Sequence, residues 1–198
     1  DKGLAGAYNH NIVKFAEGIL KNEKDSIVFV VGQLGALALQ KGGYAVDRRF
    51  AGTAQRPTVV RARQIAAELC DKFYRGELCE VDIIYTRMEE HGEEATPRLQ
   101  KLLPLSAEAF RPAAGKPQQP QQVTYLPDAG AVLGSIAPNY LTGYLFGALV
   151  EAFCSEENAR MLAMKSATDS AADMLRELSV IYNSVRQAAI TQQIVEVA

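Results

Sequence analysis

The sequence predicts an α/β protein: a Rossmann-like α/β domain followed by a long C-terminal helix that supplies half of an antiparallel coiled coil. Three observations carry this. Over residues 1–126, short apolar runs alternate with helical patterns, which is how layered α/β domains are written. From about Asp128 onward the pattern is helical almost throughout, with Pro138 the one expected break. Beyond that proline roughly 60 residues remain, on the order of 90 Å of helix if unbroken, more than a small domain uses for its own core.

The first segment, "NHNIVKFAEGILKN", places Ile12, Phe15, Ala16, Ile19 and Leu20 on one helical face, with Asn9 as its expected N-cap. "SIVFVVG" (26–32) is a continuous Val/Ile-rich run, the pattern of a buried strand. "QLGALALQKGG" is a short helix stopped by glycines, and "YAVDRRFAG" a polar-interrupted strand. In "RPTVVRARQIAAELCDKFYRGE", Pro57 stands near a helix start and Gly76 near its end. Val60, Ile65, Leu69 and Phe73 are expected on its inner side. "EVDIIYTRME" (80–89) alternates like a strand, and "ATPRLQKLLPL" (95–105) is its expected hairpin partner. Residues 111–122, "RPAAGKPQQPQQ", hold three prolines and four glutamines and form a flexible loop at the end of the domain. The domains therefore divide as 1–126 and 127–198.

Composition narrows the function. The chain has 198 residues, 48% hydrophobic and 22% charged, with a net charge of −2. That balance gives no bulk attraction to nucleic acid or an anionic membrane, and no basic stripe is present. No run approaches the 18 or so apolar residues of a membrane span. Cys70, Cys79 and Cys154 have neither metal-like spacing nor an even count, which favours a reducing compartment without a disulfide framework. The opening "DKGLAGAYNHN" has the character of the middle of a longer chain.

Enzymatic signals are weak. "GLAG" before a helix could cradle a phosphate, but neither full glycine-rich nucleotide motif is present. "MEEHGEE" (88–94) offers His91 among carboxylates, a nominal metal cluster that reads better as a charged hairpin tip. No catalytic, metal or cofactor residue is assigned.

The long helix carries the stronger signal. Met161, Thr168, Leu175, Tyr182 and Ala189 share one heptad position, and Met164, Ala171, Leu178, Val185 and Gln192 share its partner. The 3–4 spacing holds without a slip, as a coiled-coil seam requires. Ala167, Met174, Ile181, Ala188 and Val195 widen the stripe. A bundle core helix is the plainer alternative, but the chain holds no other long helix to complete a bundle. Up to Glu177 the outward side carries Lys165, Asp169, Asp173 and Arg176. From Leu178 to Ala198 the only charges are Arg186 and Glu196, and Val180, Ile190, Ile194 and Val197 face outward. A helix apolar nearly all round is one that is buried on every side, so the tip is expected to enter a sleeve.

Residues 155–194, "SEENARMLAMKSATDSAADMLRELSVIYNSVRQAAITQQI", resemble the C-terminal helix of the gamma subunits of F-type ATP synthases. "DKGLAGAYN" is similar to that family's turn after its first central strand, and "TYLPD" to its foot segment. Ala5 stands where the family usually has Cys, Gln193 where Glu is common, and Leu126 where Glu is frequent. Against the family pattern, a long N-terminal helix and the first strand (roughly 75 residues by the helix length needed to pair along a stalk) are missing, which would leave one sheet edge open. The regulatory cysteine pair of plastid members is also missing, so light-linked thiol control is not implied.

The resemblance implies a non-catalytic rotor that couples proton flow through the membrane c-ring to ATP synthesis or hydrolysis in a ring of α and β subunits. It implies that Arg186, Gln187, Thr191 and Gln193 contact the β catch loops and the bearing, and that Glu156 and Arg160 contact the lower β loops. Tyr125 and Asp128 would lie near the c-ring, and the α/β domain would bind the epsilon subunit. It places the chain peripherally on the cytoplasmic face of a bacterial plasma membrane, with no cofactor, nucleic-acid partner or membrane span. A free coiled-coil adaptor bearing an α/β domain is the alternative. Without its partner helix, the seam is expected to drive self-association.

Overall fold

The computed structural model describes residues 3–23, 25–50, 56–88, 95–105, 126 and 128–197. In chain order the elements are α1 (Tyr8–Leu20), β1 (Val28–Phe29), α2 (Gln33–Lys41), β2 (Val46–Asp47), α3 (Val59–Tyr74), β3 (Val81–Met88), β4 (Ala95–Leu103) and α4 (Ala129–Val197). The mixed α/β head followed by one very long helix is the architecture expected. The low-complexity loop 111–122 and the 89–94 hairpin tip lie outside the described residues.

The head contains a β–α–β unit, with β1 and β2 parallel and α2 crossing between them. Helix α2 ends where expected, at Gly42 and Gly43, the latter in the left-handed conformation (φ 85°) that glycine adopts at no steric cost. The second sheet is the β3–β4 antiparallel hairpin, in register from Met88↔Ala95 to Asp82↔Lys101. A bulge between Val81 and Asp82 shifts the ladder there. It lets the consecutive residues Leu102 and Leu103 both be buried.

Three local expectations are corrected. The run 26–32 pairs only at Val28 and Phe29, both half-buried, and no ladder joins β1–β2 to β3–β4 among the described residues. Asn9 is not a cap: α1 starts two residues earlier than that cap implies, at Tyr8, and Ala7 precedes it with no side-chain capping bond. Val60 lies in the first turn of α3 and is exposed, while the inner face is Ala62, Ile65, Ala66, Leu69 and Cys70, with Phe73 half-buried beside them. Thr58 caps that helix by accepting from the Arg61 amide at 3.3 Å.

The core lies between α3, the hairpin and the first third of α4. Ile65, Leu69, Val81, Leu102, Leu103, Leu141 and Leu145 form one cluster, with Phe50 closing it. Phe29 packs on Phe50 with ring centroids 5.7 Å apart. Pro138 does not break α4, which runs without interruption from Ala129 to Val197. The Thr142 hydroxyl donates to the Pro138 carbonyl at 2.7 Å, binding the turn after the proline to it.

Candidate functional site: two faces of one long helix

Helix α4 uses two faces for two purposes. Leu141, Leu145, Ala148 and Ser155 are spaced four, three and seven residues apart, and all are buried against the head. The heptad seam, continued toward the N-terminus, falls on Glu157, Cys154, Val150, Gly147 and Gly143, on a different side of the helix. Space beside Gly143 and Gly147 is open: a β-carbon added at either would meet nothing within 4 Å. This face runs from Gly143 to Gln192, half-covered at Val150 and carrying one charge, Glu157. The part alongside the head was not recognised from the sequence, because glycines give no periodicity signal.

Beyond Ala163 every described residue of α4 is exposed. Leu175 is 67% exposed, Tyr182 66% and Val185 63%, against a side chain's ordinary burial in a core. The same holds for Met161, Met164, Thr168, Ala171 and Leu178. The outward apolar residues Val180, Ile190, Ile194 and Val197 are exposed as well. Four hydroxyls of the arm bind its own backbone: Thr168 donates to Met164 O, Ser170 to Ser166 O, Ser179 to Leu175 O and Thr191 to Gln187 O, each at 2.8–2.9 Å. Thr191 therefore presents its methyl group and a spare lone pair outward. Gln192 reaches the Glu196 carboxylate at 3.1 Å. Arg186, Gln187 and Gln193 are exposed on the same arm.

The other expected contact residues sit elsewhere. Asp128 is the N-cap of α4, its carboxylate accepting the Ala131 amide at 2.9 Å. Tyr125 lies outside the described residues. Glu156 and Arg160 are not at the tip but at the top of the head, where Arg160 pairs with Glu156 at 2.6 Å and with Glu157 at 2.7 Å. Its Nε donates to the Gly3 carbonyl at 3.3 Å. The Glu156 hydrogen bond, ahead of the Glu157 bond and both charges, holds the guanidinium above its ordinary pKa despite partial desolvation. Among the described residues no group of three or more His, Cys, Asp or Glu could hold a metal ion, and no helix is long and apolar enough to cross a membrane.

A mixed α/β head carrying a long helix with an uncovered heptad face defines the class: a stalk-like subunit built for contact. Comparison with known proteins specifies it. The family model described as ATP synthase matches residues 1–198. An ATP synthase gamma chain from Caldanaerobacter subterraneus subsp. tengcongensis is 40% identical over 205 aligned residues, covering all of this chain and 68% of that one. The sodium ion specific ATP synthase gamma chain of Acetobacterium woodii is 33% identical, covering all of this chain and 70% of that one. The chain thus spans about two thirds of the length of these curated relatives. Among solved structures, the fold is shared with a chain of the Euglena gracilis mitochondrial ATP synthase (TM-score 0.66, 18% identity, 100% of this chain and 67% of that one). It is shared too with a chain of the Tetrahymena thermophila central stalk and c-ring (TM-score 0.61, 19% identity, 85% and 72%). The chain belongs to the ATP synthase family and, within it, to the gamma chains, which are non-catalytic central-stalk subunits.

Proposed function

We propose that this chain is the rotor shaft of an F-type ATP synthase, peripheral to the membrane, coupling ion flow through a c-ring to ATP synthesis or hydrolysis in a surrounding α/β ring. The observation that carries the reading is the arm of α4 beyond Glu177, a helix exposed along its whole length yet carrying only Arg186 and Glu196 as charges. A surface so poor in charge is suited to a sleeve, not to water. Turning within it, an asymmetric shaft shifts each catalytic site by touching its alternative conformations differently, the only way a partner moves an equilibrium. The bond chemistry belongs to the ring.

In this reading Arg186, Gln187, Thr191 and Gln193 meet the β catch loops and the bearing. Glu156 and Arg160 meet the lower β loops with whatever donor and acceptor capacity their mutual pairing leaves. The foot, with Tyr125 and Asp128, faces the c-ring, the head domain (1–126) receives the epsilon subunit, and α4 is half of an antiparallel coiled coil. The chain lies on the cytoplasmic face of a bacterial plasma membrane, in keeping with its bacterial relatives.

Arg186→Ala tests the tip. A charge-assisted hydrogen bond there contributes about 1.5–3 kcal/mol once it leaves water. In the assembled enzyme the variant is expected to lower ATP-driven proton pumping and ATP hydrolysis, while isolated β subunits bind nucleotide as before. Wild-type values of both activities would refute the assignment.

A further inference from the structure

The segment that leads into α4, and the first turns of that helix, are almost without charge. Between Lys116 and Glu151 the sole charged residue is Asp128. From Asp128 to Ile136 the chain has not yet reached the core of the head, and its described side chains are exposed apart from half-buried Val132. Leu126 is 84% exposed and Ile136 52%. Polar side chains there are already used by the chain itself. Asp128 accepts the Ala131 amide at 2.9 Å, and the Ser135 hydroxyl donates to the Val132 carbonyl at 2.8 Å. A β-carbon on Gly134 would meet nothing within 4 Å, so no described part of the head shelters that side. Gly130 and Gly134 also make this a weak helix on propensity alone. What the foot offers a partner is therefore mostly hydrocarbon, with its one carboxylate engaged in a cap.

We infer that the foot docks onto the c-ring by apolar contact, with Leu126 and Ile136 as its anchors, and that the ring surface it meets is uncharged and apolar. This rests on the rotor reading given above, which puts the foot at the ring, and adds the chemistry of the joint. A ring surface bearing unpaired charges is a poor fit, because burying them against Leu126 and Ile136 strips their water and supplies no counter-charge. An apolar surface fits, since both sides gain by leaving water. The joint is then insensitive to ionic strength, unlike one built of surface ion pairs, which salt screens. A lipid surface is the poorer partner. Helices that lie on membranes back their apolar face with Lys and Arg, and none stands between Lys116 and Glu151.

The test measures binding of the chain to c-rings of the same cells held in lipid nanodiscs, with empty discs beside them. NaCl is raised from about 0.05 to about 1 M, which shortens the screening length to about 3 Å. The dissociation constant for ring discs is expected to stay within about twofold across that series, and to fall in ammonium sulfate, which strengthens apolar burial. Leu126→Ala and Ile136→Ala are each expected to weaken ring binding on the order of tenfold, and Leu126→Glu more. Their urea midpoints are expected to match the parent's, since both side chains lie outside the core of the head. The salt series needs no variant and decides alone should a substitution disturb folding. Weakening by salt of about tenfold or more, unchanged binding in both alanine variants, or equal binding to empty discs would each overturn apolar docking. A chain that binds neither kind of disc would instead overturn the placement of the foot at the ring, and with it the rotor reading.

Discussion

Several side chains that a sequence motif assigns to partners are already occupied within the chain. Asp128 caps its own helix, Thr191 binds its own backbone, and Arg160 joins two glutamates to a turn at the far end of the sequence. The Asp128 cap was not read from the sequence, although Asp directly before a helical run is the ordinary N-cap signal. Nor was the Arg160–Gly3 bond, because no spacing rule relates residues this far apart. Two half-buried tyrosines, Tyr8 and Tyr144, carry a pH signature. Tyr8 is pushed above the ordinary phenol range chiefly by burial, against the opposing Thr86 hydrogen bond. Tyr144 is pushed up by burial and by Tyr85, whose hydroxyl lies 3.5 Å away. Folded values above the unfolded one mean that this stability is whole below about pH 10 and is lost as pH rises beyond it. In an alkaline titration, tyrosinate absorbance from these two groups should therefore appear together with loss of the head's circular dichroism. Ionisation of both groups at the ordinary phenol pH with the head still folded would contradict the raised values.

At the scale of elements, periodicity found what repeats and missed what does not. The face of α3 was legible in Ile65, Leu69 and Phe73. Val60 misled because a first-turn residue can keep the helical period while projecting beyond the core. Pro138 misled because a proline removes one helical hydrogen bond, the one to the carbonyl four residues earlier, without having to end a helix this long. The heptad spacing from Met161 to Gln192 was legible in the sequence, and the open side at Gly143 and Gly147 was not. The two faces of α4 should respond differently to truncation. Leu141 is fully buried, so Leu141→Ala should destabilise the head by about 2–5 kcal/mol in denaturant unfolding. Leu178 is 60% exposed, so Leu178→Ala should leave that midpoint unchanged. It should instead weaken association of the isolated chain in a sedimentation concentration series, since a second copy is the partner at hand for an uncovered seam. A large loss of head stability in Leu178→Ala would show that the arm folds back in solution.

For the whole molecule, the division of labour follows from where charge and burial lie. The head is held by an ordinary apolar core and by ion pairs such as Arg49–Asp47 and Lys72–Glu77, both 3.0 Å. The arm has no core of its own, and its stability is marginal until something surrounds it. Such an imbalance is costly for a free protein and suits one that works inside others. The fold class and the shaft were readable because a long, slip-free heptad is a global pattern. The Tyr8–Ala152 and Arg160–Gly3 bonds were not, because they are single contacts between residues about 150 positions apart. The most direct test is to attach a visible probe through Cys79, exposed on the head, to the chain assembled with its α/β ring fixed to a surface. With ATP the probe should turn continuously in one direction. ATP hydrolysis at the full rate with a stationary probe would contradict the account.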